Sequence, residues 1–462
     1  MKHLLRFSLA ALALFTTGAL AQTPAAPPKS VAPTAPAKPA PMFKPMVAKL
    51  DLQDGDSVVF FGDSITHQCL YTQYVEDYFY TRYPKLRLHF HNAGVGADRA
   101  ADGLTRFEED VAAYKPKYVT ILLGMNDGTY RDFDQTVFAT YQAGMTTILD
   151  QIAALGATAI PMTPTMFDAR AKRLRNDNQE PRNTYYNGVL ALYGQWLREQ
   201  AEVRGLGFVD MYSPLNNLTT QQRKTAPDWT MIPDGVHPGA VGQTIMAAAI
   251  IENIVAKSPV SQITISEKDG KLASTAANGT LTELQGAAGK ISFTFTSKAL
   301  PWVLPPDTAE GTKLLGLGHR HGNEKLTVRN LQSGKYTLGI DGTAVGEYTD
   351  GQLASGVELQ GNEKTPQYQQ SLKVALLNKQ RNDTAYHPLR DQYAQLKGQR
   401  LALAKVDANA PEYAAKQADF EAWYATQKTK VAELRAAAKT IEDQIYLANQ
   451  PQPRKYELAL VK

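Results

Sequence analysis

The sequence predicts an α/β domain, a parallel sheet covered by helices on both faces, followed by a smaller β-sandwich-like domain that carries a helical hairpin. Three observations predict it. Between residues 56 and 256 short apolar runs alternate with longer amphipathic ones; parallel strands need long return paths, so this alternation reads as strands with crossover helices. Beyond Ser258 the texture changes to period-two segments such as SQITISEKDGK and KISFTFTSK, punctuated by glycine, which reads as antiparallel strands. From about 388 to 447 apolar residues return to helical spacing. At 462 residues the chain exceeds one ordinary core and fits two or three folding units.

In chain order, residues 1–21 carry Lys2, His3 and Arg6, the apolar run LAALALF and then Ala19-Leu20-Ala21, the three regions of a secretory signal cleaved before Gln22. Residues 22–46 are mainly Pro and Ala with a few Lys, a composition that favours extended, semi-rigid linkers. Residues 47–257 form the α/β domain. Its expected strands are Ser57 to Phe61, Leu86 to His91, Tyr118 to Leu123, Ala157 to Met162 and Phe208 to Met211, with helices near 70–82, 104–113, 134–155, 182–204 and 239–256. Residues 258–387 form the β-rich domain, in which LTVRNL and YTLGID flank Ser333-Gly334 as a hairpin. Residues 388–450 form the helical insertion. Phe420, Trp423, Tyr424, Val431, Leu434, Ile441 and Ile445 share one face of its longer helix, and Leu389, Tyr393, Leu396, Leu401 and Leu403 mark its partner. Residues 451–462 alternate as a terminal strand that returns to the β domain.

Composition excludes several classes. The net charge of +4 falls to near +2 once Lys2 and Arg6 leave with the signal, which gives no electrostatic case for nucleic acid. No apolar window reaches the roughly 20 residues of a membrane span. The single cysteine, Cys69, rules out an intrachain disulfide and a thiolate zinc cluster. Export without disulfides suits a bacterial periplasm or exterior.

The chemistry collects at the strand ends, where open α/β sheets bind ligands. The first strand runs into Gly62-Asp63-Ser64 and the second into a turn with Asn92, Gly94 and Gly96. The third ends at Gly124-Met125-Asn126-Asp127, and a later loop reads Asp234-Gly235-Val236-His237-Pro238. This set suits acyl transfer. A serine hydroxyl needs an imidazole to take its proton, here His237. The imidazole needs a carboxylate on its second nitrogen, here Asp234. The oxyanion needs N–H donors, here the backbone of Ser64 and Gly94 and the amide of Asn126.

These four blocks, in this order over roughly residues 54–257, resemble those of the SGNH/GDSL hydrolases, with GDSI in place of GDSL. The resemblance implies a flavodoxin-like three-layer fold, metal-independent ester hydrolysis and an acyl-serine intermediate, with Ser64, Gly94 and Asn126 as the oxyanion hole. No cofactor and no metal are expected, and chelators should leave activity untouched. The expected substrate is a small-molecule or polysaccharide ester, small acyl groups such as acetyl on a carbohydrate being foremost. The alternatives are a lipase, arylesterase or thioesterase for longer chains, or a non-catalytic glycan-binding module. Activity should rise with pH as His237 loses its proton, since only neutral imidazole accepts one.

Other polar residues read as structural. Asp63 is expected to bond its own turn, and Asp127 to support the loop beside Asn126. His89 and His91 alternate as metal ligands sometimes do, but no third ligand stands at suitable spacing. His319 and His321 fall in a loop, and Cys69 reads as a small buried hydrophobe. Arg170, Lys172, Arg173 and Arg175 make the polar 162–183 connection basic, in keeping with a solvated loop or an anionic glycan.

Overall fold

The first strand, β1 (Ser57–Gly62), is buried along nearly its whole length, as a central strand of a parallel sheet must be. The structure, a computed structural model, describes residues 43–171, 185–287 and 289–461. The signal segment, most of the linker and residues 172–184, which take in the second half of the basic connection, lie outside the described residues. In β1, Phe60 packs on Phe90 and Tyr71 while Phe61 faces Phe107, so alternate side chains supply opposite faces of the sheet.

The chain continues through α1 (Ser64–His67), α2 (Leu70–Arg82), β2 (His89–Gly94), α3 (Ala100–Leu104), α4 (Phe107–Asp110) and β3 (Tyr118–Leu122). Then follow α5 (Gln135–Ala154), β4 (Thr158–Pro161), α6 (Tyr186–Arg204), α7 (Tyr212–Gln222) and α8 (Ala240–Ile254). The four strands pair in parallel in the order β2-β1-β3-β4. The expected fifth strand is reduced to one parallel bridge between Met162 and Val209. The second strand begins three residues later than its apolar run suggests and continues to Gly94, so Asn92 and Gly94 lie in the sheet and not in a turn. Gly62 and Gly94 are register partners. A Cβ on Gly94 would collide with the backbone of Thr66 and His67, so its bareness lets α1 lie across the strand ends.

The β-rich part holds a five-stranded sheet, β11-β10-β13-β8-β7, and a four-stranded sheet, β12-β9-β5-β6. Their strands are β5 (Ser261–Lys268), β6 (Lys271–Ala277), β7 (Gly279–Ala287), β8 (Lys290–Ser297), β9 (Glu324–Arg329), β10 (Lys335–Ile340), β11 (Thr343–Thr349), β12 (Val357–Glu358) and β13 (Arg454–Leu460). Ile263, Ile265, Phe293, Phe295, Leu326, Val328, Leu338 and Tyr456 fill the core between them. Two expectations fail here. The segments flanking Ser333-Gly334 are β9 and β10, which belong to different sheets and form no hairpin. Both strands alternate inward apolar residues, so each reaches the same core from opposite sides. The strands are also not all antiparallel, since β5 and β9 pair in parallel.

Two short helices, α9 (Ala309–Leu315) and α10 (Asp350–Ser355), punctuate the β-rich part. The helical region then begins at Pro366, earlier than 388. Helix α11 (Pro366–Arg381) passes through a π-turn at Asn382–Tyr386 into α12 (His387–Ala404), and α13 (Tyr413–Ala448) returns along both. Along the expected seam Val431, Leu434, Ile441 and Ile445 are buried, whereas Leu401 is 49% exposed. The chain then enters β13, between β8 and β10.

The helical region is fastened to the α/β part by buried polar contacts. Asn378 bonds the Asp77 carboxylate at 2.9 Å and Arg381 pairs with Glu76 at 3.2 Å. Arg390 grips Asp110 through two bonds of 2.7 and 3.0 Å. Among the described residues no helix is long and apolar enough to cross a membrane.

Candidate active site

Asp63 leaves β1 and its Oδ1 accepts the Ile65 N–H at 2.9 Å, which caps α1. The capping role therefore belongs to Asp63, and Ser64 is left as the first residue of the helix. Backbone N–H groups in a first helical turn have no intrahelical acceptor, so that of Ser64 is available to a ligand. Burial pushes Asp63 up to about 7, against the opposing effect of the Ile65 bond.

Ser64 Oγ lies 2.9 Å from Nε2 of His237, and His237 Nδ1 lies 2.7 Å from Oδ2 of Asp234. The other oxygen of Asp234 accepts the N–H groups of Val236 and His237 at 2.9 and 2.7 Å. One turn thus presents both groups and fixes the carboxylate against the ring. Burial raises the Asp234 pKa, but the bonds from the His237 ring and from the two backbone N–H groups outweigh it and leave it at about 2. The carboxylate is therefore ionised wherever His237 acts. The loop itself is held by Asp168, whose N–H donates to Gly235 O at 2.9 Å and whose Oδ2 accepts from Arg223 and Thr230 at 2.6 Å each.

Asn126 reaches the same rim. Its Nδ2 lies 3.1 Å from the Asp98 carbonyl and 3.5 Å from Asp63 Oδ2, and its Oδ1 accepts the Tyr130 hydroxyl at 2.8 Å. That last bond fixes which way the amide faces. Tyr130 was not legible as a site residue. Its sign is conformational: Thr129 and Tyr130 both adopt left-handed backbone, with φ of 56° and 54°, which bulky residues hold only when their surroundings impose it.

Gly94 does not fill the role expected of it. Its N–H donates to Asn92 Oδ1 at 2.9 Å inside the structure, and the residue is packed beneath α1. The exposed turn just beyond stands at the rim instead. Ala97 has a φ of 57°, Lys397 from α12 bonds its carbonyl at 3.1 Å, and the next carbonyl, that of Asp98, receives Asn126. An alanine in a left-handed turn gives no compositional hint of its conformation.

The remaining candidates take structural positions. Asp127 accepts the Ala100 N–H at 2.9 Å, and burial pushes it up to about 6. His91 bonds Asp110 at 2.9 Å and stacks on Tyr114, while His89 meets Glu442 at 3.2 Å. His319 pairs with Glu358 and His321 with Glu252. Cys69 is buried, and burial pushes its thiol up. Arg170 is paired with Asp228 at 2.9 Å; Lys172, Arg173 and Arg175 lie outside the described residues.

Comparison with known proteins finds relatives of the segment that carries this site. The GDSL-like Lipase/Acylhydrolase family model matches residues 60–245. An acetylxylan esterase of Geobacillus stearothermophilus is 27% identical over 228 residues, which cover 44% of this chain and 96% of that protein. Among solved structures, a gut microbial diltiazem-metabolizing enzyme superposes with a TM-score of 0.76 at 23% identity, covering 90% of this chain and 100% of that one. The arrangement of α/β, β-rich and helical parts thus recurs as a fold. With the four motif blocks inside the matched segment, the chain carries an SGNH/GDSL hydrolase domain and is a carboxylic ester hydrolase.

Proposed function

We propose that this protein is an exported serine esterase that removes small acyl groups, acetyl foremost, from a carbohydrate. The continuous hydrogen-bonded chain from Ser64 through His237 to Asp234 is the observation that carries the catalytic half. Ser64 Oγ attacks the ester carbonyl while His237 Nε2 takes its proton, and Asp234 stabilises the imidazolium. The oxyanion is met by the N–H of Ser64, the Asn126 amide and the N–H of Ala97, with Tyr130 positioning the amide. His237 then returns the proton to the departing alcohol, leaving an acyl-Ser64 that water hydrolyses by the same route in reverse.

The acyl and carbohydrate preferences are supported by the similarity to the acetylxylan esterase. Export is supported by the charged, apolar and small-residue regions of residues 1–21. Two assays test the substrate. On p-nitrophenyl esters the rate should peak at acetyl and decline with chain length, and acetate should be released from an acetylated glycan among xylan, pectin and peptidoglycan. A maximum at eight carbons or longer would remove the acetyl assignment, and release from none of the three polymers would remove the carbohydrate.

A further inference from the structure

One cluster of ligand-type side chains has no part in the ester chemistry. His67 ends α1, the helix that Ser64 begins, while His387 and Asp391 stand four residues apart near the start of α12, a spacing that puts both on one face. His67 Nε2 lies 3.2 Å from Asp391 Oδ1, and His387 Nδ1 lies 3.7 Å from Asp391 Oδ2. One donor atom from each residue falls within 4.8 Å of the other two.

We propose that His67, His387 and Asp391 form a zinc-type transition-metal site that pins the C-terminal helical region to the nucleophile helix. The spacing suits it. Bonds of about 2.0–2.2 Å to imidazole and carboxylate set the ligand atoms of a tetrahedral zinc roughly 3.3 Å apart; His67 Nε2 and Asp391 Oδ1 already stand at 3.2 Å, and the donors of all three residues lie within 4.8 Å of one another. The donor set suits it too. Two imidazoles and one carboxylate favour zinc and its first-row neighbours, whereas calcium and magnesium call for more oxygen ligands than this face supplies. His67 is mostly covered, with 14% of its side chain exposed, while His387 and Asp391 are 50% and 51% exposed. The site therefore has an inner wall and an outer mouth, through which an ion enters and water completes its coordination.

The consequence is mechanical. Residues 67 and 387 belong to different parts of the fold, so an ion held by both exists only when the helical region is docked, and its binding adds to the stability of that docked state. None of the three side chains hydrogen-bonds Ser64 Oγ or the His237 ring, and serine chemistry needs no metal.

The test uses full-length, tag-free protein stripped with EDTA and exchanged into metal-free buffer. Titration with zinc chloride in a calorimeter should show one ion per chain with micromolar or tighter affinity, and the melting temperature should rise by roughly 2–5 °C at saturation. His387→Ala and Asp391→Asn, at half-exposed positions, should melt like the stripped wild type while losing roughly 30-fold or more in zinc affinity. Acetyl-ester hydrolysis by the stripped wild type, expected to continue, separates this site from the catalytic one. Failure to bind zinc at millimolar concentration, wild-type affinity in either variant, or loss of hydrolysis on stripping would each overturn the proposal.

Discussion

Ser64→Ala should lower kcat by roughly 10⁴- to 10⁶-fold while leaving the fold intact. The size of the loss follows from what the hydroxyl does: without it there is no acyl intermediate, and only the oxyanion donors and substrate binding remain to help water. The fold survives because Asp63, not Ser64, caps α1. Alanine is also a favourable residue within a helix. His237→Ala should cost a similar factor, and the double variant scarcely more, because residues acting as one unit are not additive. Single-turnover kinetics beside a thermal melt separate the two effects. A Ser64→Ala protein within tenfold of wild type would move the chemistry elsewhere.

Arg390→Ala should destabilise the protein by about 3–5 kcal/mol, the usual cost of removing one partner from a buried ion pair. Arg390 and Asp110 are both fully buried. Asp110 binds Arg390 through both oxygens, accepts a further bond from Arg106 at 2.6 Å and receives the His91 ring. Burial would raise the Asp110 pKa, but Arg390, the His91 bond and Arg106 outweigh it and hold it well below the usual carboxylate range. The effect should reach the active site as well. Arg106 also donates to the carbonyls of Gly62 and Ala93 at 3.0 and 2.9 Å, at the strand ends that present Ser64. Denaturant unfolding at neutral pH checks the stability term, and a loss under about 1 kcal/mol would show that the network is not holding the helical region in place.

The same cluster makes a pH prediction. Burial lowers His91 from 6.5 to about 3, against the pull of the Asp110 bond, so its ring should stay neutral and its NMR signals should not move between pH 8 and about 4. The sign follows from linkage. The unfolded chain takes up this proton below about 6.5 and the folded one only near 3, so the stability His91 contributes is complete above 6.5 and is lost as pH falls toward 3. Asp63 and Asp127, whose pKa values rise on folding, act in the opposite sense. A ring that titrates in the ordinary histidine range would contradict the burial described for it.

The sheet and the triad were legible because each rests on a local signal. Apolar runs such as VVFF make strands, and the Asp234 to His237 spacing suits a single turn. Helix α11 was illegible because of what it buries. Gln367, Ser371, Asn378 and Arg381 are covered and meet partners such as Asp77 and Glu76, so the helix has no continuous apolar stripe to find. The 333–334 turn misled for the reverse reason: its flanking alternation is real but does not say which sheet each strand joins. Two Asp-Gly pairs, not read as turns from the sequence, carry the sounder signal. Asp269-Gly270 and Asp341-Gly342 are left-handed at both residues, and they join β5 to β6 and β10 to β11. Gly94 and Ala97 show the remaining gap. A glycine suggests a donor turn, yet here it is spent on close packing, while the exposed left-handed residue is an alanine.

The central claim, that Ser64 becomes acylated with His237 as its base, is tested most directly by covalent trapping. The full chain is treated with a p-nitrophenyl phosphonate, weighed intact and mapped by peptide mass spectrometry. One adduct per chain on Ser64, with hydrolysis lost in proportion and labelling slowed severely in His237→Ala, is the predicted result. An adduct on another residue, or full ester hydrolysis by protein whose Ser64 is quantitatively modified, would contradict it.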